Sequence, residues 1–171
     1  RNNFDFETVV FGKMDAIKTP MSKRIGVKNM LIKRKLSDNL FKMNDSWYYN
    51  GHVPITGIIA FSLIVAAYLY DYKYIILSNE ASAESPNTIW NGFEINHQYS
   101  KSAEFENDFR SYVQNSTSID VEYFSFLRGL YEIQITRLFS RLAADYFDAF
   151  RSCNNNFKIT SGGNKNTLWC N

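Results

Sequence analysis

Residues 53–70, VPITGIIAFSLIVAAYLY, carry no charged side chain and are about long enough to reach across the hydrocarbon core of a bilayer. Two features argue instead for a helix packed inside a protein. Gly57, Ala60, Ser62, Ala66 and Ala67 are small enough for neighbours to approach closely, and the run leaves through YDYKY almost directly into a strand-like stretch. The expectation is a helix buried on most sides, in a chain that does not enter a membrane.

The surrounding pattern alternates strands and helices. After an ambiguous opening (1–28, a linker or partial element), NMLIKRKL (29–36) alternates apolar and basic residues as a half-exposed strand does. SDNLFKMNDSWYYNGH is loop-like, and the apolar helix starts near Pro54. YKYIILSNE (72–80) has the profile of a strand buried on both faces. ASAESPNTIWNGFE, broken by Pro and Gly, reads as a loop. From Ser100 or Lys101 a helix follows, capped by Ser100 or Ser102, with Phe105, Phe109, Tyr112 and Val113 at helical spacing. VEYFSFL (121–127) predicts a strand, 131–147 an amphipathic helix, and FDAFRSC a last strand. Such alternation implies an open, mainly parallel sheet with helices on both faces. The α/β core is expected over 29–152 as part of a single domain, with 153–171 a partial cysteine loop.

That architecture places a ligand site beyond the carboxyl ends of the strands. Three polar groups fall there: Ser78, Asn79 and Glu80; Ser125 with Arg128; and Arg151, Ser152 and Cys153. INHQYSKSAEFENDF (95–109) gathers Asn96, His97, Tyr99, Ser100, Lys101 and Ser102 just before a helix. Backbone N–H groups at a helix start favour an anion, and His97 and Tyr99 can exchange protons or hydrogen-bond a substrate. The same residues also suit a well-capped helix start. Asn50 and His52 precede the apolar helix, and Glu80 at a strand end suits ribose hydroxyls, a metal or an amine.

A net charge of +2 on 171 residues, with the basic residues concentrated between Lys13 and Lys42, gives no electrostatic footprint for nucleic acid. The two cysteines, Cys153 and Cys170, lie late in a chain without a signal peptide at its start and read as reduced thiols or metal ligands, hence a cytoplasmic protein. They also suit the opposed thiols of a racemase, an alternative that spacing alone leaves open. SGGNKN (161–166) imitates a pyrophosphate-gripping SGGxDS loop, but Lys165 occupies the acidic position and no strand leads into it, so it reads as a flexible loop.

Taken in order, NGHVPITGIIAF, YIILSNEASA, NHQYSKSAEFENDFRSY, EYFSFLRGLYEIQITRLF and the FRSCN and WC segments resemble the ATP-dependent UDP-N-acetylmuramoyl-L-alanyl-L-glutamate epimerase family. The resemblance runs from about Leu36 to Cys170. It departs at Gly129, where the family pattern has Pro, and in the long NNNFKITSGGNKNTL insert. It implies a PP-loop (HUP-like) nucleotide-binding fold, incomplete at both ends, with a final cysteine pattern similar to that of the deazaguanine synthases. This chain is expected to be an internal fragment, inactive by itself, with its pyrophosphate loop upstream of Arg1 and a further cysteine pair beyond Asn171.

The implied activity is epimerisation of the terminal L-glutamate of the UDP-muramoyl dipeptide to D-glutamate, with ATP and Mg activating the carboxylate so that the α-proton becomes removable. Carried onto this sequence, Lys101 faces phosphate or developing negative charge, and His97 and Tyr99 carry protons. Asn79 and Glu80 contact nucleotide, Mg or substrate. Arg128 holds a substrate carboxylate, oriented by Glu132, and Asn50, His52, Ser78, Asn96, Ser100, Ser102 and Glu104 complete the substrate and nucleotide contacts. Cys153 and Cys170 supply half of a structural zinc site of four thiolates. Another carboxylate-adenylating ligase or amidotransferase, or a non-catalytic nucleotide or metal-binding module, fits the same residues.

Overall fold

The computed structural model describes residues 5–12, 18–44, 47–48 and 53–150. The chain divides into two compact units, one formed by Trp47–Phe139 and the other by Arg1–Ser46 with Ser140–Asn171. Asn50, His52, Arg151, Ser152, Cys153, Cys170 and the 161–166 loop lie outside the described residues.

In the discontinuous unit, β1 (Thr8–Phe11) pairs in parallel with β2 (Asn29–Ile32), register Thr8 to Asn29, and α1 (Lys18–Ile25) connects them. The opening that looked like linker therefore holds a strand and a helix. Gly26 ends α1 in the left-handed conformation at φ +72°, donating its N–H to the Ser22 carbonyl at 3.1 Å, a backbone state that glycine adopts without a Cβ penalty. α2 (Asp38–Asn44) occupies part of the expected loop. The last strand does not form over its described part: Ala149 and Phe150 both donate to the Tyr146 carbonyl at 3.0 Å, which coils 144–150 into turns.

The continuous unit is built on α3 (Ile55–Tyr70), close to its predicted span. Left-handed Asp71 stops it, with the Tyr72 N–H returning to the Ala67 carbonyl at 2.9 Å. No helix among the described residues is long and apolar enough to cross a membrane. Burial on most sides is not what the structure shows. Gly57, Ala60, Leu63, Ile64 and Ala67 form one buried face, while Phe61, Val65, Tyr68 and Leu69 are exposed. The run is apolar all round, so its composition carries no information about which face packs.

β3 (Tyr74–Leu77) pairs in parallel with β6 (Glu122–Ser125), register Leu77 to Ser125. α4 (Ala103–Ser116) packs over them, capped by Ser102, whose Oγ accepts the Phe105 N–H at 3.1 Å. Phe109 is the hub of the core, with ring centroids 4.8 Å from Tyr123, 5.0 Å from Phe61 and 5.7 Å from Phe105. β3 buries one face only: Ile75 is inside, while Tyr74 and Ile76 are exposed. Between β3 and α4, the predicted loop contains a hairpin of β4 (Thr88–Trp90) and β5 (Phe93–Ile95). It turns at Asn91 and Gly92, φ +51° and +81°, the pair of positive φ values that a two-residue Asn-Gly hairpin requires. α5 (Glu132–Leu142) ends earlier than its pattern suggested. The described strands thus form three two-stranded sheets, two parallel and one antiparallel, instead of one open sheet. The chain is α/β, with β-α-β crossovers and no single continuous layer among the described residues.

One ion pair ties the segments beyond β3 and β6 together. Arg128 lies three residues past β6, and its Nη2 donates to Glu106 Oε2 of α4 at 3.0 Å and to the Lys101 carbonyl at 2.8 Å. Its Nη1 lies 3.5 Å from both the Glu80 carbonyl and Glu84 Oε1. Glu106 is buried, and Arg110 Nη1 approaches its other oxygen at 3.6 Å. Burial alone would raise the Glu106 pKa. Hydrogen bonds from the Ser125 side chain and from Arg128, then the Ser125 backbone and the Arg128 charge, outweigh it and leave Glu106 more acidic than an ordinary glutamate.

Two stability outcomes follow for the full-length protein. Because the folded-state pKa of Glu106 is depressed, its contribution is complete above the unfolded glutamate pKa and is lost as pH falls through the folded value. Glu106→Gln should therefore lower denaturant stability by about 3 kcal/mol at neutral pH, since Arg128 is left without its buried counter-charge. The gap to wild type should narrow in acid; a gap unchanged by acid would disprove the pairing. Tyr123, buried to 1% exposure, has a hydroxyl with no hydrogen-bond partner among the described residues. Tyr123→Phe should be neutral or stabilising by about 1 kcal/mol in thermal unfolding, because it removes a buried donor.

Candidate functional site

The carboxyl ends of β3 and β6 bring two of the three predicted polar groups together. Asn79 Nδ2 donates to Ser125 Oγ at 3.0 Å, and Arg128 reaches the same oxygen at 3.4 Å. Parallel pairing is the reason. Leu77 and Ser125 are register partners, so the residues that follow each strand emerge side by side. Ser78 is exposed on this rim, and Asn79 and Glu80 are half-buried.

Arg128 is committed to its own chain. Five acceptors surround its two terminal nitrogens, and its buried Nε has no partner among the described residues. The orienting contact assigned to Glu132 is made by Glu106 and Glu84 instead. Glu132, fully exposed, accepts from the Ser82 hydroxyl, which is the first reason its carboxyl stays below the usual glutamate range. Glu106 escaped the sequence reading although its position was informative: with Phe109 and Val113 it stands at i, i+3 and i+7 on the buried stripe of α4. A carboxylate on such a stripe needs a buried cation.

The NHQYSKS segment forms a turn, a single 3-10 helix over Tyr99–Lys101, and the cap of α4. Asn96 bridges it to the preceding wall, its Nδ2 donating to the Ala83 carbonyl at 2.9 Å while its Oδ1 accepts the Gln98 N–H at 2.7 Å. Asn87 Oδ1 receives the His97 backbone N–H at 3.0 Å and contacts the ring Nδ1. That contact orients the imidazole, whose Nε2 lies 3.4 Å from the Gln98 amide nitrogen. Tyr99 OH donates to Asp108 Oδ2 at 3.2 Å. Burial, that hydrogen bond and the charges of Glu104 and Asp108 all raise its pKa, so Tyr99 is a hydrogen-bond donor at neutral pH and not a base. Ser100 and Lys101 are half-buried beside it, Ser102 is spent on the cap, and Glu104 is exposed in the first turn of α4.

The Ala81–Glu84 turn and residues 96–98 enclose an open cleft of about 300 Å³. Its lining combines the carboxylates of Glu80 and Glu132, the hydroxyls of Ser82 and Ser85, and the carboxamides of Asn87, Asn96 and Gln98. No lysine or arginine lines it, so it does not suit a triphosphate. Among the described residues, no three His, Cys, Asp or Glu side chains gather in a way that could hold a metal, and none of the steps below passes through one.

Residues 1–126 match the family of the MurL N-terminal domain, a span that takes in β3, the cleft walls, α4 and β6. A protein of Micromonospora sp. is 37% identical over 145 residues, covering 85% of this chain and 32% of the relative. One of Xanthomonas oryzae pv. oryzae is 38% identical over 150 residues, 87% of this chain and 33% of the relative. A third, of Salinispora tropica, is 35% identical over 145 residues. All three are named UDP-N-acetyl-alpha-D-muramoyl-L-alanyl-L-glutamate epimerase, and the chain spans about a third of their length. With three quarters of its residues matched by one domain family, and with relatives 35–38% identical over 85–87% of its length, this chain belongs to the MurL N-terminal domain family.

Proposed function

We propose that the protein containing this chain inverts the α-carbon of the terminal L-glutamate of a UDP-muramoyl-L-alanyl-L-glutamate substrate, giving the D-glutamyl product for peptidoglycan precursor synthesis in the cytoplasm. The observation that carries this reading is the family match over residues 1–126, which includes the NHQYSKS segment and the cleft residues from Glu80 to Gln98. Inversion breaks the Cα–H bond on one face and forms a new one on the other, so the substrate neither gains nor loses atoms. An α-proton beside a free carboxylate is too weakly acidic for a side-chain base, because the resulting carbanion would stand next to a negative charge. Bound ATP with its Mg would supply the activation: transfer of AMP to that carboxylate, with loss of pyrophosphate, would remove the charge, and attack of water on the acyl-adenylate after inversion would return the free carboxylate and AMP. Cys153 and Cys170 are proposed as zinc ligands completed by thiolates elsewhere in the full-length protein.

The residues of this chain take the following parts. His97, fixed at Nδ1 by Asn87, carries a proton through Nε2. Tyr99, held protonated, donates a hydrogen bond. Lys101 faces the negative charge that develops as the α-proton leaves. Arg128 acts through position: it fixes the Lys101 and Glu80 backbones, which sets the spacing between the NHQYSKS segment and the rim.

The full-length protein, given ATP, Mg and substrate in deuterated water, should incorporate deuterium at the glutamyl α-carbon as the L form is converted to D. His97→Ala should lower that exchange by on the order of a hundredfold while keeping the fold. A new amide product without α-exchange would replace this reading with that of an adenylating ligase.

A further inference from the structure

The cleft beside the rim has a chemistry that the proton transfer does not use. Its two walls are stapled by Asn96, so the space between them is built into the fold. Its lining is rich in acceptors and free of cations. The nearest guanidinium, Arg128, directs its terminal nitrogens to Glu80 O, Glu84, Lys101 O and Glu106. Diphosphates and carboxylates would meet Glu80 and Glu132 there with no counter-charge, so an anionic group is not the occupant.

The complementary ligand is neutral and carries several donors. Pyranose hydroxyls donate to carboxylates; the Ser85 hydroxyl both gives and receives, while Ser82, whose proton goes to Glu132, receives. An acetamido group needs one donor and one acceptor. The Asn87 carbonyl oxygen is committed to His97, which leaves the amide NH2 as the group Asn87 has to offer. Asn87 thus touches the cleft on one side and the imidazole on the other. A sugar seated here would leave a peptide branch facing His97.

Resting on the epimerase reading for the identity of its ligand, we propose that the cleft between the Ala81–Glu84 turn and residues 96–98 is the subsite for the N-acetylated sugar of a sugar-nucleotide peptide. The diphosphate and the peptide carboxylates are held elsewhere. Neutral hydrogen-bonding groups select the sugar, and the two carboxylates exclude an anion from the wrong register.

Titration calorimetry on the full-length protein separates the outcomes, with UDP-N-acetylmuramate and UDP as probes. Ser85→Tyr, which fills the cleft, and Gln98→Ala, which removes one polar partner without adding bulk, should each weaken UDP-N-acetylmuramate binding by about tenfold or more. UDP binding should change less than about twofold. Equal weakening of both probes would assign the cleft to the nucleotide and overturn the proposal, as would wild-type affinity for both probes in both variants. Binding of Mg alone that disappears in Glu80→Gln would make the cleft a cation site and overturn it as well. Conversion of the complete substrate by wild type is measured separately. Its absence alongside intact, variant-sensitive sugar binding would strike the epimerase reading and leave the subsite standing; conversion without any UDP-N-acetylmuramate binding would do the reverse.

Discussion

The guanidinium of Arg128 contacts four segments that are distant in sequence: the loop after β3, the 3-10 turn after it, the turn before α4, and α4 itself. Buried charge makes this arrangement stiff. Glu106 is shielded from water on the core face of α4, so separating the pair leaves its carboxylate only Arg110 at 3.6 Å and leaves Arg128 only the exposed Glu84 at 3.5 Å. The Lys101 and Glu80 carbonyls then have fixed positions relative to the strand ends. A two-stranded parallel sheet is a weak platform by itself, and the ion pair supplies what a larger sheet would otherwise provide, a rim whose loops keep their spacing.

How much of this could be read from the sequence differed with the kind of signal. α3, β3, α4 and β6 were legible because their apolar periodicity or β-branched content is strong, and the meeting of Asn79 with Ser125 and Arg128 was legible because strand ends in parallel pairs converge. The hairpin was missed although Asn91-Gly92 between TIW and FEI is a turn signal with a mechanism; the nearby Pro86 made the stretch look like loop. The expected final strand over 147–153 does not form over its described part, because turn bonds from Ala149 and Phe150 to the Tyr146 carbonyl take the backbone donors a strand would need. Arg128 was singled out as a charged residue at a strand end. Its partner was assigned by nearness in sequence to Glu132, four residues on, whereas the buried stripe of α4 supplied Glu106. Sequence distance is a poor guide to which carboxylate a buried guanidinium finds, since burial decides it.

The exposed apolar side of α3 belongs to the same lesson. Phe61 meets Phe109 and Tyr112 edge-on at its margin, while Val65, Tyr68 and Leu69 continue outward. A Cβ at Gly57 would lie 3.7 Å from the Phe105 ring, so that ring packs close to the helix backbone there. The buried stripe joins small Gly57, Ala60 and Ala67 to large Leu63 and Ile64, so neither polarity nor size marks it in the sequence.

The division of charge around the rim has a consequence for specificity. Cationic groups at an active site hold anions strongly but discriminate among them poorly; neutral hydrogen-bonding groups are weaker and read shape. Here the half-buried Arg128 guanidinium is neutralised internally by Glu106, while the adjoining cleft presents carboxylates and amides. A ligand therefore gains nothing in the cleft from its charge and must match donors and acceptors one by one. Asn87 couples that recognition to the imidazole, since any displacement of its carboxamide by a poorly fitting ligand also releases the His97 ring. In the proposed reaction, the proton-transfer geometry at His97 then depends on the fit of a group that does not itself react.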